Sequence, residues 1–195
     1  IQITLKSLVD LFKLYFIFDK IDLKKNKSRK CLIELRKIGK GNYKGLIYCS
    51  NISEAKEICD NIYKFNEKKI FKNLKLNLKR GCTEFGDIYP DYKKVDNSNN
   101  NLMKYNKTWK EKENIIDDKL PKKNRINQRV LNDTISGFTL NDFLIMRNWV
   151  MYAKMIEDED YIKFDNNIVV SDFIKNKLAP QLDFRKEEFI DNLSK

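Results

Sequence analysis

The sequence predicts an α+β domain: a split β-α-β sheet with two packed helices, followed by a mainly helical C-terminal extension. Three observations carry this expectation. Residues 31–50 hold two extended runs around a glycine-rich turn. Residues 51–65 hold a capped amphipathic helix. Residues 74–79 alternate strictly between leucine and a polar residue. The expected organisation is a module over residues 1–86, a loop-rich, partly disordered insertion over 87–138, and a helical extension over 139–195.

Each element has a local reason. Ser7 followed by Asp10 resembles a capping box, and Leu8, Leu11, Phe12, Tyr15 and Phe16 then fall on one face of a helix over 7–19. Residues 22–30 read as a basic loop. In the run Cys31–Ile38, Cys31, Ile33 and Leu35 share one face and Leu32, Glu34 and Arg36 the other. Gly39-Lys40-Gly41-Asn42 forms the turn. Leu46-Ile47-Tyr48-Cys49 is apolar throughout, as a central strand would be.

Asn51 caps the next helix, with Glu54 at the box position and Ile52, Ala55, Ile58, Cys59, Ile62 and Tyr63 as its stripe. In the last strand Leu74, Leu76 and Leu78 oppose Lys75, Asn77 and Lys79. The connecting helix is expected to make a right-handed crossover between parallel strands. Beyond residue 86, a short helix is expected near Trp109–Ile116. Thr139 and Asp142 cap a strongly apolar helix over Leu140–Met155. A further helix is expected over Ser171–Lys177, ended by Pro180, with a last amphipathic turn over Glu187–Leu193.

Composition narrows the chemistry. The chain of 195 residues carries a net charge of +11. Residues 1–130 hold 31 basic and 16 acidic residues, a surplus of +15, whereas residues 131–195 carry −4. A basic body with a mildly acidic end suits a polyanionic partner. AT-rich codons also produce such a bias, since 32 of the 39 basic residues are lysine and Asn and Ile are abundant.

There is no histidine, which excludes Ser-His-Asp and Cys-His nucleophile pairs and histidine metal ligands. The four cysteines, Cys31, Cys49, Cys59 and Cys82, lack the close pairs of a zinc site. They are expected as free thiols in an intracellular, reducing compartment, with Cys31 and Cys49 near each other on paired strands. No metal and no cofactor is expected. The apolar run Leu11–Phe18 contains Lys13 and is too short to span a bilayer, so no membrane association is expected. The chain starts at Ile1 rather than Met, as expected of a fragment or a processed form.

Taken together, the elements run helix, strand, strand, helix, strand. Lys44-Gly45-Leu46-Ile47-Tyr48 followed by Ser53-Glu54-Ala55 resembles the octamer strand and second-helix start of the RNA recognition motif. The resemblance covers about the first 80 residues. It implies a ferredoxin-like β-α-β-β-α-β fold in which Ile1-Gln2-Ile3-Thr4 supplies the first strand. It departs from the family pattern at Leu46, Asn51 and Gln2, where aromatics are expected, and keeps one stacking aromatic, Tyr48.

The implied function is non-catalytic binding of single-stranded RNA on the sheet face, through Arg36, Lys44, Leu46, Tyr48, Lys75, Asn77 and Lys79. The alternative is a module of the same fold used for protein contacts within a larger assembly, with helix 140–155 as the docking element.

Three other motifs yield simpler explanations. Gly39 to Gly45 resembles a kinase glycine loop, but the chain lacks the catalytic-loop and magnesium-binding motifs, and the glycines suit a hairpin turn. Cys82 beside Arg80 reads as a small residue at a strand end rather than a reactive thiol. Glu157-Asp158-Glu159-Asp160 reads as a solvated helix end rather than a metal site.

Overall fold

The computed structural model describes residues 1–21, 23, 28–66, 69–72, 74–81, 83–88, 107–119 and 139–194. Four strands form one antiparallel sheet: β1 (Gln2–Leu5), β2 (Arg29–Ile33), β3 (Tyr43–Ile47) and β4 (Lys75–Asn77), in the order β2-β3-β1-β4. Helix α1 (Leu8–Lys20) joins β1 to β2, and α2 (Ile52–Phe65) joins β3 to β4. Each helix therefore links two strands of the same direction with a third strand between them. The crossover over 51–65 joins strands that run alike, as expected, but β1 separates them.

Register explains why each strand alternates as it does. Cys31, Gly45, Ile3 and Leu76 form one row across all four strands, and Ile33, Tyr43 and Leu5 form the next. This face carries the helices. A Cβ on Gly45 would lie 2.3 Å from Leu14 Cδ2 and 3.0 Å from Phe18 Cζ, so glycine lets α1 close onto β3. Ala55, Ile58, Cys59 and Ile62 of α2 enter the same buried cluster.

The capping residues behave as the sequence expects. Ser7 Oγ accepts from Asp10 N, and Asn51 Oδ1 accepts from Glu54 N at 2.8 Å. Thr139 and Asp142 complete a capping box. The basic segment 22–30 ends earlier than expected, because Arg29 and Lys30 already pair with Ile47 and Leu46. Cys31 sits opposite Gly45, so Cys49 lies about 13 Å further along the strand and is not its neighbour. Cys31, Cys49 and Cys59 are free thiols.

Past β4 come α3 (Thr83–Ile88), α4 (Lys107–Lys119), α5 (Leu140–Met155), a 3-10 turn (Glu159–Tyr161), α6 (Ile162–Asp165) and α7 (Asp172–Leu193). The helix expected near Trp109–Ile116 is thus longer. The remainder of the expected insertion, 89–106 and 120–138, and Cys82 lie outside the described residues. Pro180 does not end its helix; α7 runs through it. The interior proline costs about 3 kcal/mol. Downstream, Leu182 and Phe189 are buried, and each such side chain returns about 1.5–3 kcal/mol. Together they return about 3–6 kcal/mol, enough to offset the proline. No described helix is long and apolar enough to cross a membrane.

The extension shares the module's core. Trp149, Val150, Tyr152, Ala153, Ile156, Ile168, Leu182 and Phe189 belong to the same buried cluster as Ile3, Leu11 and Tyr43. Phe12 meets Trp149 edge-on at 5.9 Å and stacks on Phe164 at 4.4 Å. Tyr43 meets Tyr152 edge-on at 5.8 Å.

Only half of the acidic run is solvated: Glu157 and Glu159 are exposed, whereas Asp158 and Asp160 turn inward. Asp158 is 3% exposed. Its Oδ2 accepts from Leu8 N at 2.8 Å and from the Tyr43 hydroxyl at 2.7 Å. Asp160 Oδ2 accepts from Val9 N at 3.3 Å. With Ser7 taking Asp10 N, the three N–H groups of the first turn of α1 that lack helical partners are all satisfied. Burial raises the Asp158 carboxyl above its ordinary value, against the lowering effect of those hydrogen bonds. Burial, with Asp158 close by, pushes the Tyr43 phenol far above its ordinary range.

Replacing Asp158 by Ala strands three donors, Leu8 N, the Tyr43 hydroxyl and Asp160 N, the first two of them buried. The expected loss is about 2–4 kcal/mol of folding stability, read as a lower urea midpoint with unchanged slope. A midpoint equal to that of the wild type would show that the carboxylate contributes nothing.

Candidate nucleic-acid interface

The face opposite the helices is set by the same register. Lys30, Leu46, Gln2 and Asn77 form one row across the four strands, and Leu32, Lys44, Thr4 and Lys75 form the next. At about 4.8 Å between strands, each row spans about 14 Å. Tyr48 stands one step beyond Leu46, held by its N–H on Ser28 O at 3.0 Å. The expected sharing of one face by Leu46, Tyr48, Lys75 and Asn77 thus follows from the pairing.

This face is divided. At the end near the β2–β3 loop it is closed. Glu34 is 2% exposed and Lys44 4%. Glu34 accepts from Arg36 N at 3.0 Å, Arg36 Nε at 2.8 Å, Arg36 Nη2 at 2.8 Å and Lys44 Nζ at 2.9 Å. Burial alone would raise the Glu34 carboxyl, but the bonds from Arg36 and Lys44 outweigh it and hold it at about 2.

Helix α7 supplies the cover. Arg185, fully buried, donates to Gly39 O at 2.9 Å and to Arg36 O at 2.9 Å. Asn42 Nδ2 donates to Arg185 O at 3.1 Å, and Gly41 N to Glu188 Oε1 at 2.8 Å. Tyr152 donates from α5 to Glu34 O at 2.8 Å. Gly41 sits at φ +81, where glycine is favoured. The loop donor that a phosphate cradle would use is thus held by Glu188.

Of the expected contact residues one, Lys44, is buried, while two others, Arg36 and Lys79, are engaged by neighbours, Arg36 with its side chain still 50% exposed. Lys44 is buried on Glu34 and offers no ammonium to solvent. Arg36 is tied to Glu34 and, on its outer side, to Glu84 of α3. Lys79 donates to the Thr83 hydroxyl at the start of α3. Alternation places Lys44 on this face, but it carries no information on which partners, carboxylate or hydroxyl, return to meet these cations.

The other end is open. Tyr48 is 51% exposed. Lys75 and Asn77 are exposed and Leu46 and Gln2 half-buried. Lys30 is the residue that sequence reasoning missed. It is exposed, its ammonium lies 5.7 Å from the Tyr48 ring centroid, and it faces Leu46 across the β2–β3 pair. The signal was present in the strand register, once Arg29 and Lys30 are placed in β2. An exposed cation–π contact contributes about 0.5–1 kcal/mol, less than the 1–3 kcal/mol of a base stacked on a ring. A base can therefore displace Lys30 from the ring and leave its ammonium to a phosphate.

Among the described residues, no three His, Cys, Asp or Glu side chains converge as a metal-ligand set. No protein-family model matches this sequence, and comparison with curated proteins and with solved structures returned no match.

The closed end has a pH signature. Glu34 titrates below its ordinary value of 4.5, so its contribution to stability is complete above that pH and is lost as pH falls towards 2. Glu34→Gln is expected to lose about 3 kcal/mol at pH 7, because Lys44 is left buried without its counter-charge. The gap to the wild type should narrow below about pH 4.5. Urea titrations at pH 7, 4 and 3 read this directly, and a gap that stays constant with pH would contradict the ion-pair assignment.

Proposed function

We propose that residues 1–80 form a divergent RNA recognition motif of the ferredoxin-like, split β-α-β kind. In this reading it binds single-stranded RNA, without catalysis, on the open half of its sheet. One observation carries the proposal: an exposed tyrosine on a sheet face, flanked by exposed Lys30, Lys75 and Asn77, in a body whose first 130 residues have a surplus of 15 positive charges. Stacking on Tyr48 supplies sequence-tolerant affinity. Lys30 and Lys75 supply the salt-dependent phosphate attraction. The sheet order β2-β3-β1-β4 with both helices on the opposite side supports the same reading. The closed end shortens the platform, so the ligand site is one tyrosine and about two rows of side chains.

A second reading rests on α5. Its C-terminal half is buried, but Leu140, Phe143 and Leu144 are exposed at its other end. That surface suits a protein partner and would make the chain a subunit of an assembly.

Fluorescence anisotropy with a labelled pool of short single-stranded RNA, at about 150 mM salt, separates the two. Tyr48→Ala is expected to weaken binding by about 5–100-fold with unchanged melting temperature. Lys75→Ala should weaken it uniformly and lower the salt slope by about one. Phe143→Ser should leave RNA binding untouched. Wild-type affinity in Tyr48→Ala and Lys75→Ala would sink the sheet-face reading and favour the protein-docking one.

A further inference from the structure

We infer that the open row discriminates between bases, and that Gln2 and Asn77 are the side chains that do so. The inference rests on the reading that RNA lies on this face, and adds a selectivity that stacking and charge alone do not provide.

The row Lys30–Leu46–Gln2–Asn77 is ordered by chemistry: a cation, an apolar floor, then two amides side by side. Gln2 and Asn77 are direct partners on adjacent strands, so their Cα atoms lie about 5 Å apart. Rings and lysines accept any base, because every base has a π-face and every nucleotide a phosphate. An amide is different. It presents one acceptor and two directed donors in a plane, the pattern that matches the edge of one base and mismatches another.

Both amides have capacity to spare. Gln2 Nε2 makes one long bond, 3.5 Å, to Thr4 Oγ1, which steadies the side chain along β1. Asn77 is exposed, and among the described residues it makes no side-chain hydrogen bond. Gln2 is half-buried beside Leu46. A base resting on Leu46 and Tyr48 would turn its hydrogen-bonding edge across the sheet, towards these two positions. Lys75, one row away on β4, is a point charge with no such directional code.

The test uses the full chain with labelled rA, rC and rU dodecamers in anisotropy titrations at fixed salt. The wild type is expected to prefer one homopolymer over the weakest by about tenfold or more, the scale of one two-bond amide–base contact. Asn77→Ala, exposed on an edge strand and so tolerant of change, should reduce that preference to within about threefold, chiefly by weakening the preferred homopolymer. Gln2→Ala should act in the same direction. Lys75→Ala should weaken all three equally and preserve the preference. Binding without preference in the wild type, or a preference that survives the Gln2→Ala, Asn77→Ala double variant, overturns this inference alone. Absence of binding to all three overturns it together with the reading beneath it.

Discussion

A single carboxylate holds the two halves of this chain in one body. Asp158 stands between α5 and the 3-10 turn, 150 residues from the helix it caps. One of its oxygens accepts from the first N–H of α1 and from the hydroxyl of Tyr43, which lies in the core face of β3. The geometry places a negative group where the helix dipole favours one. It also satisfies a phenol that would otherwise be buried without a partner. Because Tyr43 packs edge-on against Tyr152, the same contact sets how α5 lies against the sheet. The aromatic series Phe164, Phe12, Trp149 and Tyr15 then fills the seam between α1 and α5.

A second polar centre governs the other face. Glu34 collects Arg36 and Lys44, and Arg185 of α7 collects the carbonyls of the loop that carries them. Each buried cation has an anion or several carbonyls within hydrogen-bond distance, which is what makes its burial tolerable. The consequence for function is geometric. This centre removes one end of the sheet from solvent, while Tyr48, Lys30, Lys75 and Asn77 are left at the surface of the other. The described part of the extension therefore narrows the exposed face without covering it.

Much of the module was legible in the residues. Strands with alternating leucines and lysines have only two faces to choose between, so Leu76 and Asn77 were separable by period alone. Caps at Ser7, Asn51 and Thr139 act within one turn, and each is found where local chemistry places it. What failed were inferences about partners distant in sequence. The acidic run at 157–160 looked solvated because its local donors, Asp160 N and Lys163, are those of any helix end; the donors that draw Asp158 and Asp160 inward come from residues 8, 9 and 43. Pro180 looked terminal because its own helical cost is local, whereas the burial of Leu182 and Phe189 that offsets it is not.

By itself, then, the sequence determined α1, α2 and α5 with their caps and the two-sidedness of the sheet, since these depend on interactions within a few residues. Only the tertiary structure decided which cations remain exposed. Lys44 and Lys75 stand on the same face and in the same row, with only Thr4 between them. One is buried on Glu34 under a loop clamped by α7, and the other meets water. The difference arises because a side chain's charge is read by whatever the chain folds back against it. Here that is a glutamate 10 residues away and an arginine 141 residues further on.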